Sequence, residues 1–172
     1  MTTGTGGSAR RDIESGGSLM EDLYREVILE HYRSPRNKGE LDAPTCAADG
    51  ANPLCGDEIH LDVQLDDGQI AELRFSGQGC SISQASASMM TQQVKTLDRV
   101  GAAAAIEAFQ QLMLTGEAGE YDLGDSEMLA GVAKFPARVK CASLAWKTLE
   151  QALKTESTAD AVTTDERTEQ DG

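Results

Sequence analysis

Three cysteines and one aspartate are the residues of this chain best suited to act together chemically. Cys55 and Asp57 lie two positions apart in the stretch NPLCGDE, Cys80 follows the glycine-rich stretch GQG, and Cys141 lies far downstream. Three thiolates and one carboxylate form a complete tetrahedral ligand set for zinc, with bonds of about 2.3 Å to sulfur and about 2.0–2.2 Å to oxygen. The sequence therefore predicts a metal site, provided that the fold brings these four side chains together.

The charge of such a site predicts further participants. Four negative ligands around Zn²⁺ would leave a net charge of about −2. Arg138 and Lys140, both within three positions of Cys141, are the candidate cations that would offset this excess from just outside the ligand set. Cys80 directly precedes a predicted helix, whose N-terminal backbone dipole favours a thiolate.

Helix-capping residues and prolines predict where the helices begin and end. Ser18 opens an S-x-x-E capping box, and Pro35 ends the helix that follows it. A second capping box, from Ser81 to Gln84, starts a helix that runs to about Leu97. Residues 36–54 and about 115–136 are predicted loops. Asp98 caps a third helix, which runs to about Leu114, and Pro136 opens a last amphipathic helix with Cys141 in its first turns.

Alternating apolar residues predict a β-hairpin between the first two helices. Ile59, Leu61, Val63 and Leu65 alternate with polar residues, Asp67-Gly68 is a turn signal, and a second alternating segment follows. For the apolar residues to share a face, we expect a three-residue loop at 66–68. The resulting pairs would be Leu61 with Leu73, Val63 with Ala71, and Cys55 with Gly79. Helices around an antiparallel hairpin predict an α+β fold.

Composition divides the chain of 172 residues into one domain with two tails. Residues 1–17 are rich in Gly, Ser and Thr, and are predicted to be a disordered N-terminal tail. Residues 18–154 form the predicted domain. Residues 155–172 carry six acidic residues and one arginine, and are predicted to be a disordered acidic C-terminal tail.

Charge and hydropathy exclude several classes of partner. A formal net charge of −14 would repel a phosphate backbone, so we expect no nucleic-acid binding. Membrane insertion is not expected, since no apolar run approaches the roughly 20 residues needed to cross a bilayer. The N-terminus has no secretory signal, so a cytoplasmic location is predicted and structural disulfides are disfavoured. Cys46, in a predicted loop, receives no role.

Three segments together resemble a known family. They are NPLCGDE at 52–58, GQGCSIS at 77–83 and FPARVKCA at 135–142. In this order they resemble the SufU branch of the IscU/NifU-like iron–sulfur cluster assembly family, over about residues 19–154. Lys140 stands where IscU-type scaffolds typically carry a histidine, which favours the SufU branch. The resemblance implies the SufE/NifU-like, IscU-like fold, a small antiparallel sheet packed against helices.

The resemblance also implies a function. It implies zinc held by Cys55, Asp57, Cys80 and Cys141, with Cys55 as the acceptor of persulfide sulfur from a PLP-dependent, SufS-like cysteine desulfurase. Downstream iron–sulfur assembly proteins would receive the sulfur, so any enzymatic activity is at most that of a sulfurtransferase. One alternative is a scaffold that builds an iron–sulfur cluster on the same cysteines. Another is a purely structural zinc module.

Overall fold

The computed structural model describes residues 16–155 and 162–163. Most of both predicted tails therefore lies outside the described residues. Within these described residues, four α-helices and four strands follow one another, with a 3₁₀ segment at Gly124–Lys134. The helices are α1 (Gly16–Arg33), α2 (Ser81–Val94), α3 (Arg99–Thr115) and α4 (Pro136–Thr155). The strands are β1 (Cys46–Asn52), β2 (Asp57–Asp66), β3 (Gln69–Gln78) and β4 (Val162–Thr163).

The sheet has the strand order β3-β2-β1-β4. β2 pairs antiparallel with both β1 and β3, and the short β4 runs parallel to β1. Helix α4 packs on β1 and β2 and also contacts α2 and α3. In the resulting core, the stacked rings of Phe109 and Trp146 have centroids 4.4 Å apart. The predicted α+β class, a small antiparallel sheet packed against helices, is confirmed.

Strand β1 is the element that the sequence did not predict, because residues 46–52 were expected to lie in a loop. Its residues alternate between buried and more exposed positions, but the inward-facing ones are small or polar and give little hydrophobic signal. Residues 46–52 form a strand because they pair with β2 and pack against α4. At Gly50 a Cβ atom would lie 2.2 Å from Thr148 Oγ1, so only glycine lets α4 approach this closely.

The β2–β3 hairpin forms as predicted, but with a different register. Asp67 and Gly68 form a two-residue loop with φ of 55° and 83°, as primed hairpin turns require, so the predicted three-residue loop is wrong. A bulge at Ala71 shifts β3 by one residue and restores a shared apolar face. The observed pairs are Leu61 with Phe75 and Val63 with Leu73.

The helix boundaries agree in part with the predictions. Helix α1 begins at Gly16, two residues before the predicted cap at Ser18, and Cys80 rather than Ser81 is the N-cap of α2. That helix ends at Val94, short of the predicted Leu97. The Asp98 cap is confirmed, since its Oδ1 accepts a hydrogen bond from the Gly101 N–H at 2.7 Å. Helix α4 begins at Pro136, as expected.

His31 connects three parts of the helical layer. It lies on α1 and is fully buried. Its Nε2 donates to Asp125 Oδ2 at 2.8 Å, and its Nδ1 lies 2.7 Å from Ser88 Oγ. These contacts tie the 3₁₀ segment and α2 to α1, which orders the stretch that leads into α4.

His60 gives the fold a pH-dependent contribution to stability. Burial alone would lower the pKa of His60, but hydrogen bonds to Asp49 and Asp62, at 2.7 and 2.8 Å, outweigh it and raise that pKa above its ordinary value of 6.5. A raised folded-state pKa means that the stabilisation is complete below pH 6.5 and is lost as the pH rises through the folded value. The His60 ring is partly exposed, so we expect less than about 1 kcal/mol.

We therefore predict that His60→Gln lowers the free energy of unfolding below pH 6.5 and has little effect at alkaline pH. Urea unfolding of both proteins across this pH range measures the difference. An equal loss of stability at acidic and alkaline pH would contradict the role of the charged ring.

Candidate metal centre

Three of the four predicted ligands converge tightly. Among the described residues, the ligand atoms of Cys55, Asp57 and Cys141 all lie within 4.8 Å of one another. The Sγ atoms of Cys55 and Cys141 are 3.3 Å apart. Cys80 lies outside this tight group, although its Sγ is only 3.9 Å from Asp57 Oδ2. Sulfur ligands of a tetrahedral zinc ion would lie about 3.8 Å apart, so these spacings and this donor set fit such an ion.

Different elements place each side chain at the site. Cys55 lies in the turn between β1 and β2, Asp57 is the first residue of β2, Cys80 is the N-cap of α2, and Cys141 lies on α4. The backbone between Cys55 and Asp57 is not extended as predicted, because Gly56 has a left-handed φ of 72°. Cys55 and Asp57 nonetheless lie in one tight group with Cys141, whereas Cys80 lies outside it. Asp57 lies opposite Asn52 across the sheet.

Contacts within the protein alone hold the Asp57 side chain in place. Its side chain is buried, and its Oδ1 accepts the backbone N–H of Cys80 at 2.9 Å. Gly79 makes this contact possible, since a Cβ atom there would lie 2.6 Å from Asp57 Oδ1 and 2.5 Å from Ser83 Oγ. The glycine before Cys80 thus allows β2 and the start of α2 to meet at the site.

We predict that Gly79→Ala displaces the Asp57 carboxylate and weakens zinc binding about 10- to 100-fold, the usual cost of disturbing a group that orients a ligand. Competition with a coloured chelator measures the affinity. Gly131→Ala is the matched control, because a Cβ atom at Gly131 would meet nothing within 4 Å. Unchanged affinity in the Gly79 variant would mean that the orientation of Asp57 is not needed.

The cysteines of the site differ in their surroundings. Cys55 is exposed, Cys80 is half-buried and Cys141 is fully buried. Burial raises the pKa of the Cys141 thiol, and hydrogen bonds with Cys55 and Asp57 raise that pKa further. A cation that binds here must therefore displace a proton from Cys141. The most accessible sulfur at the site belongs to Cys55.

Asn52 is a site residue that the sequence did not single out. It is fully buried at the end of β1, and its Nδ2 lies 3.7 Å from Cys141 Sγ. Its backbone carbonyl accepts the N–H of Cys55 at 3.1 Å. An asparagine before a proline is typical of a turn, which hid this role. The spacing of Asn52, three positions before Cys55 and five before Asp57, was the sequence signal that could have indicated this role.

The remaining candidates lie around this group. Arg138 is exposed, and Lys140 is half-buried. Arg138 and Ser81 line a cleft of about 510 Å³ between α1, the 3₁₀ segment and the starts of α2 and α4, with the exposed Phe135 at its edge. Because Ser81 follows Cys80 in the chain, the cleft opens beside the site. Cys46 lies in β1, buried in the core rather than in the predicted loop.

An antiparallel sheet, a helical layer and a group of thiols with one carboxylate define a small α+β protein with a candidate thiolate metal centre. Residues 23–142 match the family model described as the NifU-like N-terminal domain. That match covers most of the described residues and all four predicted ligands. The chain therefore belongs to this family, as the three cysteine-containing segments predicted.

Individual relatives agree with this assignment. The chain is 48% identical to the zinc-dependent sulfurtransferase SufU of Bacillus subtilis (strain 168), over 80% of this chain and 93% of that protein. It is 40% identical to the iron–sulfur cluster assembly scaffold protein IscU of Streptococcus pyogenes serotype M1, over 85% of this chain and 92% of that protein.

The solved structures agree as well. A candidate iron–sulfur cluster assembly scaffold protein for the SUF system from Fervidobacterium islandicum AW-1 superimposes with a TM-score of 0.71 and 34% identity. The match covers 74% of this chain and 94% of that one. The predicted IscU-like fold is confirmed. Within residues 16–155, no helix combines the length and apolarity needed to cross a membrane.

Proposed function

We propose that this protein is a zinc-dependent sulfur acceptor, which takes persulfide sulfur from a PLP-dependent cysteine desulfurase for iron–sulfur cluster assembly. The observation that carries the proposal is the exposed Cys55 thiol, 3.3 Å from the buried Cys141 sulfur in a group completed by Asp57. The similarity to the Bacillus sulfurtransferase supports it. The nucleophile is accessible, while the rest of the group is largely shielded from water.

Cys55, Asp57, Cys80 and Cys141 are the proposed zinc ligands. When bound, zinc would keep these thiols deprotonated near neutral pH and would supply no redox chemistry of its own. Arg138 and Lys140 are the proposed cations that offset the negative charge of the ligand set. The Cys80 N–H fixes the Asp57 carboxylate, which keeps an oxygen ligand available at the buried side of the site.

The sulfur-transfer step is a thiol–disulfide type of exchange. The Cys55 thiolate attacks the terminal sulfur of the persulfide on the desulfurase cysteine. A bond forms between Cys55 Sγ and that sulfur, while the bond from the sulfur to the desulfurase cysteine breaks. The desulfurase cysteine leaves as a thiolate, and Cys55 becomes the persulfide. Electrons and atoms balance without any external oxidant or reductant.

The partners follow from this step. The desulfurase donates sulfur, and iron–sulfur assembly proteins consume it, so we place the activity in the cytoplasm, where thiols stay reduced. The cleft lined by Ser81 and Arg138 offers a surface beside the site on which a partner could rest. The charge of −14 argues against nucleic acid as a partner.

The proposal is tested by following sulfur onto this chain. The zinc-bound protein is mixed with a PLP-dependent cysteine desulfurase and L-cysteine, alkylated, digested and analysed by mass spectrometry. We expect the additional sulfur on the Cys55 peptide within the first turnover. Protein alkylated beforehand at Cys55 is the control. Additional sulfur only on other cysteines, or none at all, would refute the acceptor role.

A scaffold for an iron–sulfur cluster is the second candidate. The similarity to the streptococcal IscU favours it, and the grouped thiols of Cys55 and Cys141, with Asp57 and the nearby Cys80, could hold a cluster. Anaerobic reconstitution with iron and sulfide separates the two candidates. A stable visible chromophore that is passed promptly to an apo-acceptor would favour the scaffold, whereas failure to hold a cluster would favour the sulfur acceptor.

A further inference from the structure

Asn52 contacts the site through its side chain, its backbone carbonyl and its pairing in the sheet. Its Nδ2 lies within hydrogen-bond distance of Cys141 Sγ, at 3.7 Å. Its carbonyl accepts the Cys55 N–H, and it pairs with Asp57 across the β1–β2 ladder. One buried residue thus contacts three of the four proposed ligands.

Burial of the Asn52 side chain destabilises the fold. It is fully buried, and its Oδ1 has no hydrogen-bond partner among the described residues. A buried carbonyl without a partner destabilises a fold, whereas leucine would fill nearly the same space without that cost. Packing alone therefore does not explain an asparagine here, and the N–H directed at Cys141 does.

We propose that Asn52 is a positioning residue of the metal centre, whose amide N–H group holds the Cys141 sulfur as the fixed ligand and leaves Cys55 as the reactive one. This inference rests on the proposed zinc-dependent function. A hydrogen bond to a thiolate draws charge from the sulfur and makes it a weaker nucleophile. Cys141 has this bond, while the exposed Cys55 is held by Asn52 only through its backbone N–H.

In this proposal two sulfurs that lie 3.3 Å apart have different roles: Cys141 is the fixed ligand, and Cys55 is the reactive one. Without such a distinction, a persulfide donor could react with either sulfur, and reaction at Cys141 would place the transferred sulfur in a buried position. Burial slows the approach to Cys141, and the Asn52 bond lowers its intrinsic reactivity. Together they direct the transferred sulfur to Cys55.

The test uses the full chain loaded with Co²⁺ in place of zinc, because Co²⁺ gives an absorption spectrum. Asn52→Leu removes the N–H group, and Asn52→Ala does so without adding bulk. Ser126→Ala is the matched control, since Ser126 Oγ is also buried without a hydrogen-bond partner among the described residues. Circular dichroism and metal content verify folding and loading.

Two readouts are expected to change. The sulfur-to-cobalt charge-transfer band should move to longer wavelength in both Asn52 variants, because the sulfur regains electron density. Alkylation by iodoacetamide, followed peptide by peptide, should show the Cys141-to-Cys55 rate ratio rising about tenfold, as expected when one hydrogen bond to a charged group is lost. The Ser126 control should match the wild type in both readouts.

The outcomes separate this inference from the function on which it rests. If the wild-type protein fails to bind Co²⁺ or zinc, the proposed metal centre falls, and the role of Asn52 falls with it. If the wild type binds the metal and both Asn52 variants keep its band and its alkylation ratio, only the role of Asn52 is overturned. A shifted band with a raised ratio in both variants supports it.

Discussion

Cys55→Ala should reduce the stimulation of a cysteine desulfurase to the background rate measured without this protein. Cys55 is the exposed sulfur of the site, while Cys80 is half-buried and Cys141 is fully buried. With alanine at position 55, the site loses its one exposed nucleophile, the one placed to take sulfur from the donor persulfide. Release of alanine from L-cysteine, with and without the variant, measures the effect.

Two controls distinguish loss of the nucleophile from loss of the site. Cys46→Ala also removes a thiol, but Cys46 lies in β1 within the hydrophobic core, so this variant should stimulate the desulfurase normally. Zinc content of the Cys55 variant shows whether the other three ligands still hold the ion. Normal stimulation by a Cys55→Ala protein would remove this residue from the mechanism.

The hairpin illustrates how far the sequence predicts the fold. Strong apolar alternation in β2 and the Asp67-Gly68 turn correctly predicted a hairpin, because both signals are local. The register depended on the bulge at Ala71, which compensates for a two-residue loop. No local pattern distinguishes a bulged strand from a longer loop, since both restore the shared apolar face.

Strand β1 marks the limit of the same approach. Its sequence, CAADGAN, lacks the β-branched and aromatic residues that are typical of strands. Its conformation comes from β2 on one side and α4 above, including the close approach at Gly50. Tertiary packing decides such a segment, and a single sequence does not display that packing.

The candidate site was predicted better than the path of the backbone through it. Their positions at element boundaries indicated Cys55, Cys80 and Cys141, and the first two also lie beside glycines. Cys55 and Cys141 do group with Asp57, and Cys80 Sγ lies 3.9 Å from Asp57 Oδ2. The expected extended segment is instead a turn at Gly56. The residue types alone indicate the ligand chemistry, whereas the supporting role of Asn52 depends on which buried atoms the fold brings into contact.

Removal of zinc should abolish both a stabilising contribution and the stimulation of the desulfurase. An ion that binds only the folded chain adds about 2.7 kcal/mol of stability at a free concentration of 100 times its Kd. For a domain of this size, that corresponds to about 5–10 °C in the thermal midpoint. Without the ion, nothing holds the buried Asp57 carboxylate and the Cys141 sulfur together, so the site is looser, and no metal keeps the Cys55 thiol deprotonated for attack.

Chelator-stripped protein should therefore melt at a lower temperature and fail to stimulate the desulfurase, and one equivalent of Zn²⁺ should restore both properties. Mg²⁺ is the control, since it prefers oxygen ligands and should restore neither. The two measurements together separate the competing functions. A purely structural zinc module would recover its thermal midpoint without ever stimulating the desulfurase. Full stimulation by metal-free protein would mean that zinc has no part in sulfur acceptance by Cys55.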